Sequence, residues 1–165
     1  MTVTINGSNL NTIGVINSMT AKTATGTSVD FTGIPAGVKR VSLVFSGVGA
    51  TGTSQFLVRI GSGSYVTTGY ASGFANLGTY SGSTSGFNIL RTTASDLYYG
   101  IMELVLFGGN LWVCSSNFGI VRTTVMYGNV NGGGQLALSG ALDRIQLITT
   151  STDTFNAGSV NVLYE

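Results

Sequence analysis

Few side chains in this 165-residue chain can do chemistry: six carboxylates (Asp30, Asp96, Glu103, Asp143, Asp153 and Glu165), seven cations, one thiol at Cys114, and no histidine. Without histidine the chain lacks the commonest general base near neutral pH, and a Ser-His-Asp or Cys-His site within one chain is excluded. A glycosidase needs two carboxyl groups held a few ångströms apart, and nothing in the spacing selects a pair. Asp30, Asp143 and Asp153 stand beside strand boundaries or turns. Asp143 next to Arg144, and Asp30 ahead of Lys39, read as local charge partners. The expectation is a protein that is not an enzyme, takes no cofactor and holds no metal.

Two further stretches invite a ligand. "GIPAGVKRVSLVFSG", residues 33–47, sets the only proline and the adjacent cations Lys39 and Arg40 ahead of an apolar run. A matching stretch, "LALSGALDRIQLI", repeats the order apolar, charged, Arg, apolar, polar, apolar, with Leu142, Arg144, Ile145 and Leu147 answering Val38, Arg40, Val41 and Leu43. A phosphate site would not exchange Lys39 for Asp143 at the matching place, so both stretches read as hairpins whose arginines point outward. The run "NGGG" at 131–134 lacks the lysine and following helix of a phosphate loop and reads as a flexible hairpin turn. "STDTFNAGS" carries one carboxylate and no EF-hand register. Cys114, in "LWVCSSN", reads as a buried small hydrophobe.

The segment 65–87, "YVTTGYASGFANLGTYSGSTSGF", interleaves Tyr65, Tyr70, Phe74, Tyr80 and Phe87 with glycine, hydroxyl and amide residues. Rings that stack at low entropic cost, flanked by short polar groups, suit sugars and other flat, weakly polar ligands. Tyr65, Tyr70, Phe74 and Tyr80 are therefore candidates for a ligand-binding surface. A core strand pair joined by a loop is the other reading of the same residues, as it is for Trp112 and Phe118.

These groups sit on a scaffold whose composition is distinctive. Charged residues make up 8% against about 25% in an ordinary soluble domain, and 25 glycines face a single proline. The net charge of +1 gives no field to steer the chain onto nucleic acid or an acidic membrane. No apolar run approaches the roughly 20 residues of a spanning helix, and Ile101 to Phe107 contains Glu103, so membrane insertion is not expected. "MTVTINGSNLNTIG" has neither a basic leader nor an apolar centre, which predicts synthesis in a cytoplasm. The length fits one domain with a core of its own.

Apolar spacing of two recurs, as in Val41, Leu43, Phe45 and in Ile145, Leu147, whereas helical spacing is sustained nowhere. Strands are predicted near 2–6, 12–16, 27–32, 38–47, 55–61, 64–70, 86–92, 99–107, 111–115, 120–127, 134–139, 142–149 and 158–164. "SGVGATGTS", "YSGSTSG", "FGGN", "NVNGGG" and "STDTFNAGS" separate them. The fold class is all-β: an antiparallel two-sheet sandwich, with a jelly roll as first choice. "LVFSGV" and "IMELVLF" are apolar on both faces, which predicts that one outer face is covered, most simply by another copy.

The stretches "TSVDFTGIPAGVKRVSLVFSGVGATGTSQFLVRIGSGSYVTTGY", "TSGFNI" and "LSGALDRIQLITTSTDTFNAGSVNVLYE" together resemble a family of domains in virion proteins of tailed bacteriophages and prophages, described as tail-fibre or tail proteins. The resemblance covers about residues 27–165, and "DTFNAGSVNVLYE" is its most specific part. It implies a jelly-roll sandwich displayed on the virion as a homotrimer beside other virion proteins, made in the host bacterial cytoplasm, with host-surface glycan as a partner. It supplies no catalytic residues. Residues 1–26, rich in Thr and Asn, are expected to be a short attachment or strand segment ahead of the module at 27–165. So short a lead raises a capsid decoration or cement protein as the alternative to a host-contacting appendage; a glycan-cleaving appendage enzyme is the third reading.

Overall fold

A computed structural model describes residues 15–76 and 78–165. Along them run β1 (Asn17–Ser18), β2 (Lys22–Thr23), β3 (Ser28–Thr32), β4 (Arg40–Ala50), β5 (Phe56–Ser62), β6 (Ser64–Tyr65), β7 (Ala71–Asn76), β8 (Thr79–Ser83), β9 (Phe87–Ile89), β10 (Leu97–Gly108), β11 (Leu111–Arg122), β12 (Val125–Ala137), β13 (Arg144–Thr149) and β14 (Phe155–Tyr164). The larger sheet has the order β1-β14-β4-β10-β11-β12-β7-β8, with β2 also on β14. The smaller has the order β3-β13-β5-β6, with β9 beside β5. The strand pairs are antiparallel, so the architecture is the expected all-β, antiparallel two-sheet sandwich.

Period-two alternation decides what each sheet buries. Along β11, Trp112, Cys114, Phe118 and Ile120 turn inward while Val113, Ser115 and Asn117 turn out. Val41, Leu43 and Phe45 of β4 meet Ile145 and Leu147 of β13 in one core. Aromatic pairs bind the layer: Phe45 and Phe118 have ring centroids 4.8 Å apart, and Phe56 of the smaller sheet stands edge-on to Tyr98 of the larger at 5.6 Å. Such contacts add about 1 kcal/mol each beyond area burial.

Several expectations need correction. The predicted strand 2–6 lies outside the described residues, as does most of 12–16. The run 64–70 is strand only at Ser64–Tyr65. The segments 111–115 and 120–127 belong to β11 and β12, which meet at a turn where Thr123 has φ 63°. "NGGG" is not a turn: it lies in the middle of β12, paired with β11 on one side and β7 on the other. A Cβ on Gly134 would stand 2.3 Å from the Ala71 carbonyl oxygen, so glycine lets β7 close on β12. Nor do Pro35 and Gly37 close a hairpin. They carry the chain from β3 in the smaller sheet to β4 in the larger, just as 138–143 carries it back from β12 to β13. The two crossings touch, since the Asp143 carbonyl accepts the N–H groups of Gly33 and Ile34. The sequence echo thus marks two adjacent changes of sheet.

Candidate functional site

The four aromatic candidates do not form one surface. Tyr70 is 2% exposed; its hydroxyl accepts the Ile60 N–H at 2.8 Å and lies 3.1 Å from the Val66 carbonyl oxygen, and its ring meets Phe87 edge-on at 5.0 Å. Burial pushes its phenol up to about 12. Phe74 points between the sheets and is also buried, as is Phe87. Tyr65 lies half-buried on β6 with the Arg144 guanidinium 5.8 Å from its ring centroid, and burial raises its phenol as well. Tyr80 alone of the four stands free, 78% exposed.

Tyr80 borders a shallow groove of about 570 Å³. Its geometry follows from register: Gly133, Gly73 and Gly82 are cross-strand neighbours on β12, β7 and β8, and the next outward row is Asn131, Ala75 and Tyr80. Glycines thus lay bare a lane of backbone between the Tyr80 ring and the solvent-facing side of β12. The groove lies at the margin of the larger sheet, where β8 pairs with β7 and with no other strand among the described residues. The sequence named Tyr80 and Phe74 but not the glycine lane, because glycine clusters read as turns. Glycines at registered positions of neighbouring strands were the signal, and register is not local information.

A second feature is the outward row of β10. Tyr99, Ile101, Val105 and Phe107 are exposed along it, interrupted by Glu103, to which Ser42 donates at 3.4 Å. Val113 of β11 continues this apolar stripe beside Val105. Met102 and Leu104 of the same strand are buried in the core, so "IMELVLF" is apolar on both faces as expected.

The carboxylates each have a local task. Asp96, fully buried, pairs with Arg122 at 2.7 Å; Asp143 pairs with Arg144 at 2.8 Å and accepts the Gly63 N–H; Glu165 pairs with Arg40 at 3.1 Å. Asp153 accepts the Ser54 N–H at 2.9 Å, and Asp30 accepts from Gln146 at 2.7 Å, so Asp30 is held by β13 and not by Lys39. Hydrogen bonds from Arg144 and from Ser54 hold the Asp143 and Asp153 carboxyls below the usual range. Among the described residues no group of three His, Cys, Asp or Glu is placed to hold a metal ion. Lys39 lines a recess of about 120 Å³ with Val38, Leu106, Trp112 and Leu142, and among the described residues lining it Lys39 alone is charged. Cys114 is buried and free, and burial raises its thiol to about 12. No protein-family model, no curated protein and no solved structure matches the chain.

Proposed function

We propose that the chain is a non-enzymatic structural module of a phage particle: a jelly-roll-type sandwich, self-associated as a homotrimer, that sits on a tail fibre or comparable appendage and meets the host surface. The phage setting rests on the resemblance of residues 27–165, and the observation that supports self-association is the stripe Tyr99, Ile101, Val105, Phe107 and Val113, set in the outer face of the larger sheet with Glu103 the one charge along its β10 row. Exposed apolar and aromatic side chains gathered on one sheet face are a common mark of a protein interface, and the charges beside them are Glu103 within the row and Arg40 opposite Val105 on β4. Carboxylates spent on ion pairs, a backbone N–H and side-chain hydrogen bonds agree with a structural role. The repeated passage of the chain between the two sheets agrees with a jelly roll.

Gold-labelled antibody on intact particles, viewed by electron microscopy, is the test. Label on a tail appendage, with the purified chain binding host cells, supports the proposal. Label spread over the head, with saturable binding to bare capsids, replaces it with decoration. Release of reducing sugar from host polysaccharide, abolished by Asp30→Asn, would overturn both.

A further inference from the structure

We infer that β8 is a self-association edge: it pairs antiparallel with β8 of a second copy about a two-fold axis through Ser81, and each Tyr80 ring lies over the glycine lane of the other copy.

Three observations meet in this one occupant. The first is an edge that no other strand among the described residues covers. Sheet edges are normally blunted by lysine, proline, bulges or covering segments. The opposite margin of the larger sheet is covered by β1 and β2 pairing along β14, and β2 carries Lys22. The smaller sheet's β3 margin carries Asp30. By contrast β8, "TYSGS", has no charge, no proline and an unbroken register with β7, and four of its five residues are exposed. The whole stretch from Tyr65 to Phe87 is without a charged residue, so two copies meet here with no like-charge repulsion.

The second is the register. Pairing centred on Ser81 sets Thr79 against Ser83 and Tyr80 against Gly82. In β8, Tyr80 and Gly82 face outward, while Thr79, Ser81 and Ser83 face the side of Phe74 and Ser72. Each opposed pair therefore shares a face, and the inward pairs are hydroxyl residues, which suit cross-strand neighbours. The third is the groove. A glycine in a strand leaves a hole that an aromatic neighbour across the strand can cover. Gly82 and Gly73 form that hole, and Tyr80, 78% exposed in the single chain, is the ring without a cover. The two-fold supplies each with the other. A short edge pairing is a small interface, so the contact is weak and concentration-dependent. It is independent of where on a particle the module sits.

The test is a charge exchange on the full chain, read by sedimentation velocity across a concentration series reaching a few hundred micromolar. Ser81→Lys and Ser81→Glu each place like charges opposite one another on the axis. Each variant alone should show a lower average mass than the parent at equal concentration, and a 1:1 mixture should recover the parent's mass because Lys then faces Glu. Recovery also shows that both variants are folded. Tyr80→Ala should lower the average mass as well. A parent that stays monomeric throughout, variants that associate like the parent, or a mixture no heavier than its components each overturn the inference. A second readout is oxidation of Ser81→Cys to a disulfide-linked dimer faster than Ser151→Cys on the exposed loop between β13 and β14; equal rates overturn it, and the native thiol, Cys114, is buried in both.

Discussion

The hydroxyl of Tyr70 accepts the backbone N–H of Ile60 at 2.8 Å, from a ring 2% exposed between the two sheets. An aromatic chosen for ligand stacking would offer its face to solvent; this one spends its polar tip on a strand of the smaller sheet and its ring on Phe87. Tyr70→Phe keeps the ring and leaves the Ile60 N–H without that acceptor. The cost of an orphaned buried donor is about 1–3 kcal/mol. Urea denaturation should show a midpoint lowered to match, with cell binding by the folded variant unchanged. Loss of binding at unchanged stability would return Tyr70 to a ligand role.

Gly134 and Ala71 define how closely β7 approaches β12. A Cβ on Gly134 would lie 2.3 Å from the Ala71 carbonyl oxygen and 2.9 Å from the Ser72 Cα, and backbone cannot step aside as a side chain can. Gly134→Ala should therefore cost about 2–3 kcal/mol, in the range of overpacked sites, and loosen the β7–β8 hairpin first. Gly128, on the same strand, has nothing within 4 Å of a built Cβ. Gly128→Ala should be neutral or gain up to about 1 kcal/mol by narrowing the unfolded ensemble. Thermal melts give the stabilities, and amide exchange of residues 71–83 shows whether the hairpin opens.

Alternation was legible wherever one face of a strand is buried: Val41, Leu43 and Phe45 were read as a strand face and are all at most 2% exposed. Cys114 and the Asp143–Arg144 pair were legible because burial pattern and adjacency are local. What escaped was non-local or conformationally ambiguous. Glycine at 132–134 signals a turn by propensity, but here Gly134 meets a demand for close strand approach that the β7 backbone creates. Pro35 and Gly37 turn the chain as expected, yet whether a turn joins neighbours or changes sheets depends on partners far along the chain. Arg40 finds Glu165 rather than a nearby acid, and Asp96 finds Arg122 across the end of β11, pairings no spacing announces. The predicted strands left 71–85 uncovered, because its small polar residues carry too little alternation to mark β7 and β8 or to say that Phe74 faces the core and Tyr80 the solvent.

Alkaline stability should be set by buried acids that ionise only when the chain unfolds. Burial raises the Cys114 thiol from 9.0 to about 12 and the Tyr70 phenol from 10.0 to about 12. In each case the unfolded chain releases its proton first, so the stabilisation is complete below the unfolded value and is lost as pH rises toward the folded one. Stability should be level up to about pH 9 and then fall, each group adding a slope of about 1.4 kcal/mol per pH unit inside its window. Cys114→Ala should remove the onset near pH 9 while leaving the component above pH 10 that Tyr70 shares with Tyr65 and Tyr98, whose phenols burial also raises. Urea midpoints at half-unit pH steps measure both, and a profile unchanged by Cys114→Ala would show that the thiol ionises freely in the fold. The same burial should keep a maleimide from Cys114 until denaturant is added.

Ile101 and Val105 test the outer face without touching the core. They flank Glu103 on β10, 37% and 44% exposed, with their strand neighbours Met102 and Leu104 carrying the buried side of the same stretch. A lysine at either position can extend its charge into water along the sheet, so each single change should shift stability by no more than about 0.5 kcal/mol. If the stripe is an assembly surface, a charge placed in its centre must be desolvated on contact, and that cost is not offset unless the partner supplies an acid. Ile101→Lys and Val105→Lys should thus fold normally but enter particles poorly when supplied as the sole copy of the chain, with free protein accumulating beside depleted virions. Neither should be rescued by mixing with Ser81→Glu, because that residue lies at the sheet margin and not on the stripe. Normal incorporation of both variants would remove the stripe as the surface on which the proposed assembly rests.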